Sequence, residues 1–255
     1  MGRVITIVNQ KGGVGKTTTA INLSSYLSDL GQKVLLIDTD PQANATSGLG
    51  IDISKLDKGI YEVLINAQPI HQTVFSTTIN NLHIIPATMN LAGAVVELVN
   101  VPEREFILQK NINLIKDSYD FVIIDCPPSL GLLTVNSIVA GQEILIPVQC
   151  EYYALEGLGQ LINTINLIKQ HLNPEISILG AVMTMFDKRN KLSDDILREL
   201  YQHFPHYIFR SVIPRNVKLA EAPSFGQTIQ QYDRHSKGAK AYQKLAEEII
   251  YLAKN

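Results

Sequence analysis

Nothing in this 255-residue chain approaches the ~20 consecutive apolar residues that a bilayer-spanning helix requires. A signal peptide is not expected either: the first apolar run, Val4–Val8, is short and leads directly into a glycine-rich segment. Cysteine is scarce. Cys126 and Cys150 lie far apart, outside any metal-ligand spacing, which excludes a disulfide framework or a zinc site and makes a reducing cytosol the expected compartment. No repeat, low-complexity tract or linker interrupts the chain, so residues 1–255 are expected to form one domain. The net charge of −2 offers no whole-molecule case for nucleic acid. Its distribution is more telling. Between Phe186 and Lys244 lie 11 of the 22 Lys+Arg residues against 6 Asp+Glu, a basic region near the C-terminal end of an otherwise acidic chain.

What is present is alternation, on a globular composition of 45% hydrophobic and 18% charged residues. Short, β-branched apolar runs predict strands at Val4–Val8, Val34–Ile37, Leu82–Ile85, Phe121–Ile124, Glu143–Val148, Ile178–Met183 and Tyr207–Val212. Between them, amphipathic spacing predicts helices at Thr17–Leu30, Arg104–Lys116, Leu155–Lys169 and Asp194–His203, with a last helix at about Gly238–Leu252. Leu155, Leu158, Ile162, Ile165 and Ile168 mark the third of these, and Gly31 closes the first. Strands that are apolar throughout, alternating with helices, imply an α/β fold: a three-layer, mostly parallel twisted sheet covered by helices on both faces. In such sheets ligands bind at the carboxyl ends of the strands.

Three segments at those ends carry chemistry. Gln10-Lys11-Gly12-Gly13-Val14-Gly15-Lys16-Thr17-Thr18 matches the phosphate-loop pattern G-x-x-x-x-G-K-[ST] except that Gln10 replaces its first glycine. Its glycines let backbone N–H groups turn toward an anion, Lys16 reaches the β/γ-phosphates, and the Thr17 hydroxyl is placed to ligate Mg²⁺ at a helix N-terminus. Lys11 is surplus to that pattern and able to reach a facing copy. At the second strand's exit, Asp38-Thr39-Asp40-Pro41 offers two carboxylates, one to support Mg²⁺ or the phosphate loop and one to position water. Phe121-Val-Ile-Ile-Asp125 reads as a Walker B strand whose aspartate holds Mg²⁺ through water. Pro127-Pro128 follows as a stiff, γ-phosphate-sensing loop, and Cys126 is expected to be structural.

Lys-Gly-Gly-x-Gly-Lys-Thr is the deviant Walker A pattern, and nearly the whole chain resembles a ParA/Soj-type partition ATPase. The resemblance rests on Lys11–Thr18, Asp38–Gly50, Asp125-Cys-Pro-Pro-Ser-Leu-Gly131, Pro147-Val-Gln-Cys-Glu151-Tyr152-Tyr153-Ala-Leu-Glu156-Gly157, and Ile213–Lys218 with Glu221–Gly226. It implies one P-loop ATPase domain using ATP/ADP and Mg²⁺. Lys11 is then the trans-acting signature lysine of an ATP-sandwich homodimer and Lys16 the phosphate lysine. Thr17, Asp40 and Asp125 lie around the metal, with Asp40 activating water. Adenine is expected near Met185 and the loop Pro214-Arg215-Asn216-Val217. Non-specific double-stranded DNA would meet Lys188, Arg189, Arg215 and Lys218. A ParB-type partner would stimulate hydrolysis and release the protein from the nucleoid.

The chain starts just before its first strand, so an N-terminal helix-turn-helix is not expected. The alternative is a MinD-like, membrane-associated cell-division ATPase, which needs a basic amphipathic C-terminal helix; Glu247 and Glu248 argue against that and for a helix packed on its own domain. Nitrogenase iron-protein relatives need a cluster-bridging cysteine pair that Cys126 and Cys150 do not make. Cobyrinate-type amide ligases need a carboxylate-substrate site, for which no candidate is evident.

Overall fold

The computed structural model describes residues 2–151 and 154–254. Tyr152 and Tyr153, and the side chains of Leu155 and Glu156, lie outside the described residues. Among the described residues seven strands form one sheet: β1 (Arg3–Ile7), β2 (Val34–Asp38), β3 (Phe75–Ser76), β4 (Leu82–Ile85), β5 (Phe121–Asp125), β6 (Glu143–Gln149) and β7 (Ser177–Thr184). Their order is β3-β4-β2-β5-β1-β6-β7, parallel throughout except for the two-residue β3. The helices are α1 (Lys16–Asp29), α2 (Asn44–Gly48), α3 (Ile60–Leu64), α4 (Leu91–Glu97), α5 (Ile107–Ile112), α6 (Leu132–Ala140), α7 (Ala154–His171), α8 (Lys191–His203), α9 (Val217–Glu221), α10 (Ile229–Asp233) and α11 (Lys237–Lys254).

Central strands such as Val34-Leu-Leu-Ile-Asp38 and Phe121-Val-Ile-Ile-Asp125 are buried at every position, which is why they read as unbroken apolar runs. Each face has its own core. Leu35, Ile37, Val122 and Ile124 meet Leu108, Leu133, Leu161 and Ile165 of α5, α6 and α7 on one side. Ile5, Ile7, Leu36 and Ile123 meet Leu23, Leu27, Tyr242, Leu245 and Ile249 of α1 and α11 on the other. Parallel register then brings the exits of β1, β2 and β5 level, with Ile7 beside Asp125 and Asp125 beside Asp38.

Two expected elements differ. Tyr207–Val212 makes no regular strand: it touches β7 through the single bridge Ala181–Ile208. Where a ladder would continue, Glu248 intervenes, accepting the Arg210 and Ser211 N–H groups at 2.8 and 3.0 Å and the Ser211 hydroxyl at 2.7 Å. The helix expected over Arg104–Lys116 shrinks to α5, flanked by 3-10 turns at Arg104–Phe106 and Lys116–Ser118. Asn111 bonds back to the Ile107 carbonyl and Asn113 ends the helix, the competition with backbone that makes asparagine a poor helix interior residue. Gly31 ends α1 as expected, with φ +85°.

Candidate nucleotide-binding site

Above the carboxyl ends of these strands lies a cavity of about 550 Å³, within the range of small-ligand sites. Gly12, Gly13, Gly15, Lys16, Thr17 and Thr18 form its floor. Gly13 and Gly15 have φ of +76° and +87°, a conformation that side chains disfavour, and it turns the loop's amides toward the cavity at the start of α1. The loop is fixed from behind by Thr184 at the end of β7, whose hydroxyl donates to the Val14 carbonyl at 2.8 Å.

Lys16 is nearly buried, and burial pushes its pKa down, with Asp125, Cys126 and Asp40 opposing. Its Nζ donates to the Lys11 carbonyl at 3.0 Å. Cationic charge therefore lines the cavity with no ion pair to Lys16 among the described residues. Lys11 itself is not on the cavity wall; its ammonium pairs with Glu151 of the same chain.

The two aspartates of β2 separate in role. Asp38, fully buried, ends the strand and accepts from Thr46 N at 2.9 Å, Thr46 Oγ1 at 2.7 Å and Asp40 N at 3.1 Å. Burial raises its pKa against the pull of those bonds. It anchors the loop. Asp40, two residues beyond the strand, faces the cavity and accepts the Gln42 N–H at 3.0 Å. Asp125 is different again. Both carboxylate oxygens are buried without a hydrogen bond of normal geometry. Burial, then Asp38, pushes its pKa well up, while Thr17 and Lys16 pull the other way.

A buried, unpartnered carboxylate beside a threonine hydroxyl suits a hard divalent cation. No cluster of three His, Cys, Asp or Glu occurs among the described residues. Such a cation would thus draw its remaining ligands from phosphate and water, as Mg²⁺ characteristically does. Thr17 and Asp125 could hold it. Cys126 does not take part: burial drives its thiol up to about 12, and it stays protonated.

A family model described as AAA domain matches residues 2–178. The chromosome partitioning protein ParA of Myxococcus xanthus (strain DK1622) is 50% identical over 250 residues, covering 98% of this chain and 88% of that one. The chromosome-partitioning ATPase Soj of Treponema pallidum (strain Nichols) is 48% identical over 252 residues, covering 98% of each. The chain belongs to the ParA/Soj family of chromosome-partitioning ATPases. Among solved structures, the cobyrinic acid a,c-diamide synthase of Mycobacterium smegmatis with bound ADP and magnesium superposes with a TM-score of 0.88 at 35% identity, over 100% of this chain and 96% of that one.

In this ParA/Soj-family chain the cavity's far wall differs in part from the sequence expectation. Met185 lines it, held at a φ of +52° that is unusual for a side-chain-bearing residue. Pro214, Arg215, Asn216 and Val217 do not line it. They run beside the end of β7, where Phe186 bridges to Pro214. Pro223 and Ser224 form that wall instead, facing Ile21, Gln42, Asn44 and Ser47, with Pro128 closing over the floor. These residues sit inside recognisable motifs, but nothing local marks them as wall-forming.

Of the basic candidates, Lys188, Arg189, Arg215 and Lys218 are all exposed. Arg189 grips Asp187 through two nitrogens at 3.0 and 2.8 Å, and Lys218 pairs with Glu221 at 3.1 Å while lying over the Tyr232 ring. Lys188 and Arg215 have no ion pair among the described residues.

Proposed function

We propose that the protein is an ATP-driven switch for DNA partitioning. The single observation that carries the reading is the phosphate-loop cavity, with buried Lys16, unpartnered Asp125 and a second lysine, Lys11, set outside it. Family membership gives that site its context. Lys16 and the loop amides bind the triphosphate of ATP, and Met185 with Pro223 and Ser224 bounds the space left for the base. Thr17 and Asp125 would hold Mg²⁺, which would supply charge neutralisation to the phosphates. Asp40, anchored through Asp38, orients the attacking water; phosphoryl transfer asks for little beyond positioning and charge.

Lys11 reaches the phosphates of a second copy, so that two subunits close around two nucleotides. The dimer doubles the basic region around Lys188 and Arg215, enough for sequence-independent contact with duplex DNA from a chain of net charge −2. A ParB-type partner then accelerates hydrolysis and returns the protein from the nucleoid to the cytoplasm. The membrane alternative has no support at its key element. α11 packs on the sheet through Tyr242, Leu245 and Ile249, so its apolar face is used within the chain.

Retention on non-specific duplex DNA without nucleotide, with ADP and with ATP tests the reading, using wild type beside Asp40→Ala. Asp40→Ala is expected to bind ATP, turn over at least tenfold more slowly and stay longer on DNA. Equal turnover in the two proteins removes Asp40 from its role, and no ATP-dependent retention rejects the DNA reading.

A further inference from the structure

The start of the phosphate loop is tied by three consecutive side chains to β6, to α7 and to the turn between them. Asn9 accepts the Lys11 N–H on Oδ1 at 3.0 Å and donates Nδ2 to the Pro147 carbonyl at 2.8 Å. Gln10, standing where other phosphate loops have glycine, donates Nε2 to the Gly157 carbonyl at 2.9 Å and to Gln160 Oε1 at 3.1 Å. Lys11 Nζ pairs with Glu151. That carboxylate is itself held, because its other oxygen accepts from Gln149 Nε2 at 2.5 Å. A lysine whose four-carbon stem would otherwise sample many rotamers is thus kept within its own subunit and off its own cavity wall.

We infer that Glu151 is a latch for Lys11, holding it in the separate subunit and yielding it to the phosphates of a facing copy when two nucleotide-loaded subunits meet. This rests on the sandwich-dimer reading above. One ammonium cannot serve a carboxylate and a polyphosphate at full strength, so each docking event breaks the intrasubunit pair. The pair is weak enough to break: its side chains are 38% and 48% exposed, where an ion pair changes an equilibrium by only about 1.5- to 5-fold. Two latches open per dimer, so together they raise the dimer dissociation constant by about 2- to 30-fold. Glu151 is a positioning residue in this scheme. It touches no phosphate and sets a concentration threshold for assembly.

The test compares the full chain with Glu151→Gln, which keeps shape and removes charge, in two measurements. In nucleotide-free protein, acetylation of the Lys11 amine by a water-soluble N-hydroxysuccinimide ester, followed by peptide mass spectrometry, is expected to run about 1.5- to 5-fold faster in the variant; an unchanged rate overturns the pairing. With a non-hydrolysable ATP analogue and Mg²⁺, sedimentation is expected to show a dimer tightened by about 2- to 30-fold; equal or weaker dimerisation overturns the latch. Lys11→Ala in the same experiment separates the two ideas. If it dimerises as well as wild type, the sandwich reading falls and the latch with it. If it does not dimerise and Glu151→Gln gains nothing, the latch alone is refuted.

Discussion

Lysine is a costly side chain to bury, and Lys16 is about 6% exposed with its pKa pushed down by that burial. The cost is tolerable because Asp125 and Asp40 stand close and because the ammonium has a carbonyl to bond. Replacing it should therefore hurt ligand binding far more than folding. For Lys16→Ala, calorimetry is expected to show ATP affinity reduced by about 10- to 150-fold, the effect of deleting one charged hydrogen-bonding group. The thermal midpoint should stay level or rise. A midpoint drop of many degrees would instead make Lys16 a structural residue. Asp38 invites confusion with Asp40, two positions away, but their surroundings differ completely. One is consumed by Thr46 and the loop backbone; the other faces the cavity.

Among the elements, α11 shows how a C-terminal helix can stabilise a distant segment. Glu248 is partly buried, which works against its charge, yet bonds from Tyr207, Ser211 and the Arg210 and Ser211 amides hold its pKa below the usual value of 4.5. A depressed carboxyl contributes stability that is complete above the unfolded-state value and is lost as pH falls through the folded-state value. Glu248→Gln is accordingly expected to destabilise by about 1 kcal/mol at pH 7, a figure reduced for solvent screening. The gap from wild type should close as pH drops below 4.5, and urea unfolding at several pH values measures it. A constant gap would assign the effect to packing.

The same element explains what sequence could not reveal. The segment Tyr207–Val212 has every local mark of a strand, and only a side chain about forty residues later, Glu248, diverts its amides. β2 and β5 were legible because burial on both faces leaves an unbroken apolar run ending in aspartate. No amphipathic period marks α6: Leu132–Ala140 is buried nearly all round, so its β-branched residues resemble another strand. The phosphate loop declares itself through local geometry. Pro223 and Ser224 reach the same cavity from the far end of the chain, and no local pattern encodes that approach.

For the whole molecule, the question is how a mildly acidic chain would hold DNA. The prediction follows from pairing rather than from counting charges. Lys188→Ala or Arg215→Ala should each remove about one phosphate contact per subunit, lowering the slope of log affinity against log salt by about 1.8 per dimer. Lys218→Ala should matter less, because Glu221 already shares its charge. Equal losses at all three positions in filter binding across a salt series would show that these intrasubunit pairs dissolve on DNA.

The sheet has one further consequence, for synthesis. β1, made before the other six strands of this sheet, sits between β5 and β6, and Ile5 pairs with Glu143. At about 5–20 residues per second, roughly 7–30 s separate emergence of the two partners from the ribosome. Throughout that interval Val4, Ile5 and Ile7 have no β6 to lie against, and the phosphate loop that hangs from them has no Pro147 carbonyl to fasten Asn9. An incomplete nascent chain therefore carries the signature loop long before it carries a site able to use it.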